Sequence, residues 1–279
     1  MAKPIMIQGT ASGVGKTILT IALCRIFSQD GYKVAPFKSQ NITANTALND
    51  GEEIAVSQVL QARAAGLKPN ANMNPVILKP SPEKHGTQVI LNGRPYKTLN
   101  ADNYREIKEK LIPEIMNAYI ALSLLYEIIV IEGAGSPVEL NLDRDDIVNM
   151  GIAKALKAPV LLVSNIDKGG AFASLYGTIN LLGEPDRTHI KATVVNRFSG
   201  DVSLFSNGVH ILEKITGLPV AGVIPYISFD IPDEDNLFNS ENPSYSSSHN
   251  YDEQFNLIAD QVRKSLNMDL VYSILNCGG

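Results

Sequence analysis

The sequence predicts an α/β fold, a doubly wound and mostly parallel sheet flanked by helices, with a phosphate-binding loop after its first strand. Three observations carry that expectation. Short apolar, β-branched runs alternate with longer helical patterns along the 279 residues, as in parallel sheets covered on both faces. The stretch Gly9-Thr10-Ala11-Ser12-Gly13-Val14-Gly15-Lys16-Thr17 lies between an apolar run and a helical pattern, the strand–turn–helix context of a phosphate loop. The composition, 44% hydrophobic and 19% charged, is that of a globular chain long enough to bury a full core.

In order, strands are expected at 5–8, 33–36, 128–132, 160–164, 190–196 and 220–224. Helices are expected at 16–29, 54–65, 103–126, 147–156, 171–182 and 201–216. The first strand is the apolar run Pro4, Ile5, Met6, Ile7, and the first helix opens with Ile18, Leu19, Thr20, Ile21, Ala22 and Leu23. Residues 73–98 break the alternation with Pro75, Pro80, Pro82 and Pro95, and read as a β-rich insertion or an extended loop. Beyond Pro232 the chain turns acidic and then rich in Ser and Asn, without periodicity. The division expected is a phosphate-loop α/β domain over 1–238, a linker over 239–250 and a helical tail over 251–279. The tail's pattern is Phe255, Ile258, Val262, Leu266, then Leu270 and Ile274.

Several function classes are disfavoured. A formal charge of −5, with no Lys/Arg run, gives no nucleic-acid surface. Cys24 and Cys277 alone make neither a disulfide framework nor a clustered metal site, and Cys24 reads as a small buried apolar residue. His85, His189, His210 and His249 lack ligand spacing. No nucleophile elbow and no Cys–His arrangement is present. Apolar runs such as 128–131 are too short for a bilayer, and the first strand begins too early to leave room for a leader. The expectation is a cytoplasmic protein without a membrane partner; a homodimer is left open.

The phosphate loop sets the chemistry. Backbone N–H groups of Gly9, Thr10, Ser12, Gly13, Val14 and Gly15, with the helix N-terminus, suit phosphate oxygens. Lys16 can reach the outer phosphates and the Thr17 hydroxyl can hold Mg²⁺, so ATP and Mg²⁺ are the expected cofactors. Ligands of such sheets gather where strands end. Glu132 ends one strand beside Gly133, Ala134, Gly135 and Ser136 and suits a Mg²⁺ ligand, or else a helix cap. Lys38, after another strand and before Ser39, Gln40 and Asn41, would neutralise charge on a phosphorylated intermediate, or stand as an exposed lysine. In Asp50-Gly51-Glu52-Glu53 an acid, taken as Glu53, would complete the Mg²⁺ shell, with a solvated helix start as the equal alternative. Asn196, with Arg197, suits an adenine edge, though Asn also favours turns. Asp167, with Gly169 and Gly170, falls at a further strand tip facing the substrate side, suited to metal binding or to substrate contact.

Thr10 stands where the common phosphate-loop pattern has its first glycine, which lies one residue earlier. A loop of this form resembles dethiobiotin synthetase and its relatives, which use ATP to activate carboxylates. Partition and division-site ATPases carry an early second lysine where this chain has Ala11, which disfavours a dimerising switch. Taken together, segments 8–17, 35–41, 51–66, 73–80, 130–141, 167–178, 195–201 and 222–226 resemble the synthetase domain of cobyric acid synthases over about 1–238. Phe37-Lys38-Ser39-Gln40-Asn41, Glu132-Gly133-Ala134-Gly135-Ser136-Pro137 and Asp167-Lys168-Gly169-Gly170 separate that family from dethiobiotin synthetase itself.

The resemblance implies ATP-dependent amidation of corrinoid side-chain carboxylates, adenosylcobyrinic acid a,c-diamide to cobyric acid, through acyl phosphates. It implies catalytic roles for Lys16, Lys38, Glu132 and Asp167, and substrate contacts from Ser39, Gln40, Asn41, Gly135, Ser136, Gly169 and Gly170. Members of that family continue into a glutaminase domain with a cysteine nucleophile. Here residues 251–276 resemble the segment that closes the full-length enzyme, and Cys277 is followed by two glycines only. Ammonia is therefore expected from outside the chain, free or from a separate glutaminase. The rival readings are another carboxylate ligase of the dethiobiotin synthetase type and a non-catalytic ATP-binding switch or scaffold.

Overall fold

Side-chain alternation along the first strand sets up two cores. In the computed structural model, which describes residues 1–81, 86–99, 104–140, 146–232, 246 and 249–277, β1 (Lys3–Gly9) is buried on both faces from Pro4 onward. Ile5 and Ile7 point into one core, and Met6 points into the other. β1 lies within a six-stranded parallel sheet with β2 (Val34–Phe37), β9 (Ile128–Glu132), β10 (Val160–Asn165), β11 (Ile190–Phe198) and β12 (Val220–Pro225). The order is β12-β11-β10-β1-β9-β2, so the chain winds to one side of β1 and then to the other. Ligand crevices form at such a reversal, above the C-terminal strand ends. Here Gly9, Glu132 and the end of β10 meet: Ile7 lies opposite Glu132, and Gly9 opposite Val163.

The helices α1 (Lys16–Gln29) and α2 (Val56–Ala64) cover one face of the sheet. The helices α3 (Tyr104–Ser123), α4 (Met150–Ala155), α5 (Ala171–Leu181) and α7 (Ser206–Thr216) cover the other, with the short α6 (Glu184–Arg187) leading into β11. All six expected sheet strands are present, and the α/β class is borne out.

The departures have local causes. Of the expected helix 54–65, the first residues form β5 (Glu52–Ala55), which pairs with β4 (Thr46–Asn49) across Asp50 and Gly51 at φ 50° and 81°. An Asp-Gly pair with positive φ makes the tight hairpin turn that matches strand twist. The Pro-rich segment takes the β-rich alternative: β3 (Gln40–Ile42), β6 (Val76–Ser81), β7 (Gly86–Leu91) and β8 (Arg94–Leu99) form a separate sheet. The expected helix 147–156 starts at Met150, because the Asp146 carboxylate accepts from the N–H groups of Val148, Asn149 and Gly151 and holds a turn there.

The tail splits in two, α8 (Asp252–Ser265) and α9 (Met268–Cys277). Leu266 bridges Gly222, and Asn267 donates its N–H to Ala221 of β12. Phe255, Ile258, Ala259 and Val262 of α8 are buried in the core that α1 caps. Arg263 grips Asp30 through both carboxylate oxygens at 2.8 and 3.0 Å, and the Tyr272 hydroxyl donates to the same carboxylate. The Arg263 bond outweighs partial burial and holds the Asp30 carboxyl below its usual range. Of the expected linker 239–250, only 246, 249 and 250 fall among the described residues, as does all of segment 130–141 except Asn141. Among the described residues no helix is long and apolar enough to cross a membrane.

Candidate active site at the phosphate loop

Gly9 ends β1 and Lys16 begins α1, so the intervening turn must reverse direction within six residues. Gly13 and Gly15 manage this at φ 70° and 98°, where a side chain is strained. The shifted first glycine has a steric reason. A Cβ at Gly9 would lie 2.6 Å from the Val14 side chain and 2.9 Å from the Ala11 carbonyl. A Cβ at Gly15 would run into the Asn196 amide. That amide donates to the Val14 carbonyl at 2.8 Å, so Asn196 braces the loop from the tip of β11.

Lys16 is buried and donates to the carbonyls of Ala11 (2.9 Å) and Gly135 (3.2 Å), which ties the loop to the turn after β9. Thr10 donates its hydroxyl to Ser164 at the end of β10. Three strand tips thus converge on the loop.

Glu132 is the electrostatic centre, only 1% exposed. Its Oε1 accepts from the Thr17 hydroxyl at 2.9 Å and the Lys38 ammonium at 3.0 Å; its Oε2 accepts from the Gln61 amide. A carboxylate this deep needs paired charge and hydrogen-bonded lone pairs, and α1, the residue after β2, and α2 each contribute one donor. The Lys38 side chain is itself 7% exposed, which removes the alternative of a solvated lysine. Burial first, and the Glu132 charge second, push the Cys24 thiol far above its ordinary value, in keeping with an inert core residue.

The turn after Glu132 is held by Asn149, whose amide accepts from the Ala134 N–H and donates to the carbonyls of Ala134 and Ser136. A Cβ on Gly133 would collide with it. Gly135 takes φ 56°, and Ser136 is buried.

Other expected residues are placed differently. Ser39, Gln40 and Asn41 are 1–5% exposed. Ser39 donates to the Ile147 carbonyl at 2.6 Å, and Asn41 donates to Ser57 and Gln58. Through these bonds Ser39 and Asn41 brace the scaffold beside the site. Glu53 is not brought to the Glu132 cluster. Its carboxylate accepts from Thr46 across the β4–β5 hairpin and from Lys79 of β6, each at 2.6 Å. Burial opposes its ionisation, yet those two donors hold its carboxyl below the usual range. Among the described contacts, those of the Glu53 carboxylate are with Thr46 and Lys79, and none joins it to Thr17. Asp167 faces Arg197 at 3.9 Å, on an exposed turn that also carries Gly169 and Gly170 at φ 79° and 80°. Nothing lies within 4 Å of a Cβ built on either glycine, so the turn's conformation alone asks for them.

Gln61 and Asn149 were missed by sequence reasoning. The available signal for the first was Ser57-Gln58 followed three residues later by Gln61, polar side chains on one face of an otherwise apolar helix. Asn149 falls in a segment that reads as helix and carried no comparable signal.

The chemistry of the donor set fits Mg²⁺ with a nucleoside triphosphate: a hydroxyl at the helix start, an adjacent carboxylate, two lysines and a loop whose Gly9 and Gly15 leave no room for a Cβ. Among the described residues no group of three His, Cys, Asp or Glu stands together, so a cation here would take much of its coordination from phosphate and water.

The profile of the CobQ/CobB/MinD/ParA nucleotide-binding domain matches residues 5–236. The chain is 56% identical over 238 residues to a cobyric acid synthase of Ruminiclostridium cellulolyticum, across 85% of this chain and 46% of that protein. It is 53% identical over 242 residues to one from Lachnoclostridium phytofermentans, with 85% and 47% covered. For one from Streptococcus sanguinis the figures are 50% over 238 residues, with 85% and 48% covered. The chain spans about half the length of these curated relatives. The phosphate loop, the parallel sheet and the matched profile agree: the chain belongs to the CobQ/CobB/MinD/ParA nucleotide-binding domain family.

Proposed function

We propose that this chain carries out ATP- and Mg²⁺-dependent amidation of corrinoid side-chain carboxylates, converting adenosylcobyrinic acid a,c-diamide to cobyric acid with ammonia supplied from outside these residues. The observation that carries the reading is the buried Glu132–Lys38–Thr17 cluster beside the phosphate loop, in a chain half-identical to cobyric acid synthases.

A carboxylate is a poor electrophile because its leaving group is oxide; transfer of the ATP γ-phosphoryl to it supplies phosphate as leaving group. Ammonia then attacks the acyl carbon, the acyl C–O bond to phosphate breaks, and amide, ADP and phosphate result. The chain's part is to bring two anions together and screen them. Loop N–H groups of residues 9–17 and the α1 N-terminus would hold the phosphates. Lys16 would exchange its carbonyl contacts for the outer phosphates. Thr17 and Glu132 would hold Mg²⁺, which would supply charge neutralisation to the phosphates. Lys38, fixed by Glu132, would offset charge on the acyl phosphate. Asp167, after β10, and Arg197, near the end of β11, would grip base or substrate, and Asn196 would add an adenine contact to its brace on Val14.

The test supplies the purified chain with the a,c-diamide, ATP and Mg²⁺, and either an ammonium salt or glutamine, with products read by mass. Amides formed with ammonium and not with glutamine support the reading. No amide and no corrinoid-dependent ADP release with either nitrogen source would overturn it.

A further inference from the structure

Gln61 is completely buried on α2, and its two polar atoms meet different fates. Nε2 donates to Glu132 Oε2. Oε1 has no hydrogen-bond partner among the described residues. The amide cannot be turned round to improve this, since the swap would set a carbonyl oxygen against a carboxylate oxygen. An acceptor left bare in the interior is costly, and native structures keep few of them. This one sits within an amide's width of the carboxylate that faces Thr17. Gln58, one turn earlier, differs in which atom is bare: its Oε1 is taken up by Asn41 and Ser57, and its Nε2 lacks a partner among the described residues.

We propose that Gln61 is a positioning residue for the metal: its N–H locks Glu132, and its bare carbonyl accepts a hydrogen bond from a water on the bound Mg²⁺. This rests on the reading above that Mg²⁺–nucleotide sits at Thr17 and Glu132. The chemistry is matched. Mg²⁺ sheds its hydration shell reluctantly and keeps several waters, each an O–H donor in need of an acceptor. Among the described residues Glu132 is the carboxylate in contact with Thr17, while Glu53 is engaged with Lys79. Of the roughly four lone-pair sites of Glu132, two on Oε1 are taken by Thr17 and Lys38 and one on Oε2 by Gln61. Outer partners of this kind orient the ligand they touch and set metal affinity.

The experiment titrates Mg²⁺ into the full chain with a fluorescent ATP analogue, and repeats the analogue titration in chelator without metal. Gln61→Met keeps the volume and removes both polar functions. Gln61→Glu keeps an acceptor oxygen, adds charge and loses the donor. Thermal unfolding of each variant reports folding separately. The expected result for Gln61→Met is an apparent Mg²⁺ affinity about tenfold weaker, with metal-free analogue binding within about twofold of the parent. Gln61→Glu should bind Mg²⁺ at least as tightly as the parent while binding the metal-free analogue more weakly. Equal Mg²⁺ affinity in all three proteins would overturn the proposal. So would equal weakening by both variants, which is the mark of a merely structural role. A parent whose analogue binding ignores Mg²⁺ would instead remove the underlying metal–nucleotide reading, and this inference with it.

Discussion

Lys38→Met is the perturbation that tests the buried charge cluster most severely. The pair it breaks is 3.0 Å long, with side-chain exposures of 7% and 1%. Removing one member of such a pair strands the other charge in the interior and costs about 3–5 kcal/mol. Glu132 would keep the Thr17 hydroxyl and the Gln61 amide, so the low end applies, about 3 kcal/mol. Unfolding entropy scales with chain length at about 2.1 cal/mol/K per residue. For 279 residues that makes about 0.6 kcal/mol per degree, and a fall in Tm of about 5 °C. Glu132→Gln added to Lys38→Met removes the stranded charge, so the double variant should recover to within about 1 kcal/mol of the parent. Urea unfolding of all four proteins closes the cycle, with a coupling of about 2 kcal/mol or more. Additive single effects, or a Lys38→Met protein as stable as the parent, would refute the claim that these two charges sustain each other.

Three further outcomes are expected. Gly15→Ala forces an alanine to φ 98° against the Asn196 amide, and should cost about 1–3 kcal/mol while abolishing tight binding of a fluorescent ATP analogue. Normal binding would remove the steric account of the loop. Asp30 has a depressed folded pKa, so its stabilisation is complete above the unfolded carboxyl value of about 3.9 and fades as pH falls through the folded value. Asp30→Asn should therefore lower Tm at neutral pH and converge with the parent in acid; a gap that persists at low pH would contradict the sign. Cys24, buried beneath the Glu132 cluster with its thiol pKa pushed up, should resist iodoacetamide until the chain unfolds, as read by mass on its peptide.

Much of the fold was legible because its signals are local. Apolar runs of strand length and the glycine turn place β1, β2 and β9 to β12 within a residue or two. Glu132 and Lys38 were legible as strand-tip residues, although nothing in the sequence reveals that they share a hydrogen bond. What escaped depends on distant partners. β3 and β5 are three and four residues long and acquire strand character only through β6 and β4. Glu53 reads as one acid of a run before a helix, and nothing in the sequence shows that the hairpin turn at Asp50-Gly51 sets it beside Lys79. Gln61 reads as one polar position in a helix, and its importance appears only once α2 is laid against Glu132.

The central claim is that a carboxylate is activated by phosphoryl transfer at the Lys38–Glu132–Thr17 cluster. The most direct measurement uses a,c-diamide labelled with ¹⁸O in its free carboxylates, together with ATP, Mg²⁺ and ammonium, and follows the label by mass. The account predicts that each amide formed sends one labelled oxygen into inorganic phosphate, and that Lys38→Met and Glu132→Gln suppress both products together. Amide formed with unlabelled phosphate, or ATP cleaved at the same rate without corrinoid, would contradict it.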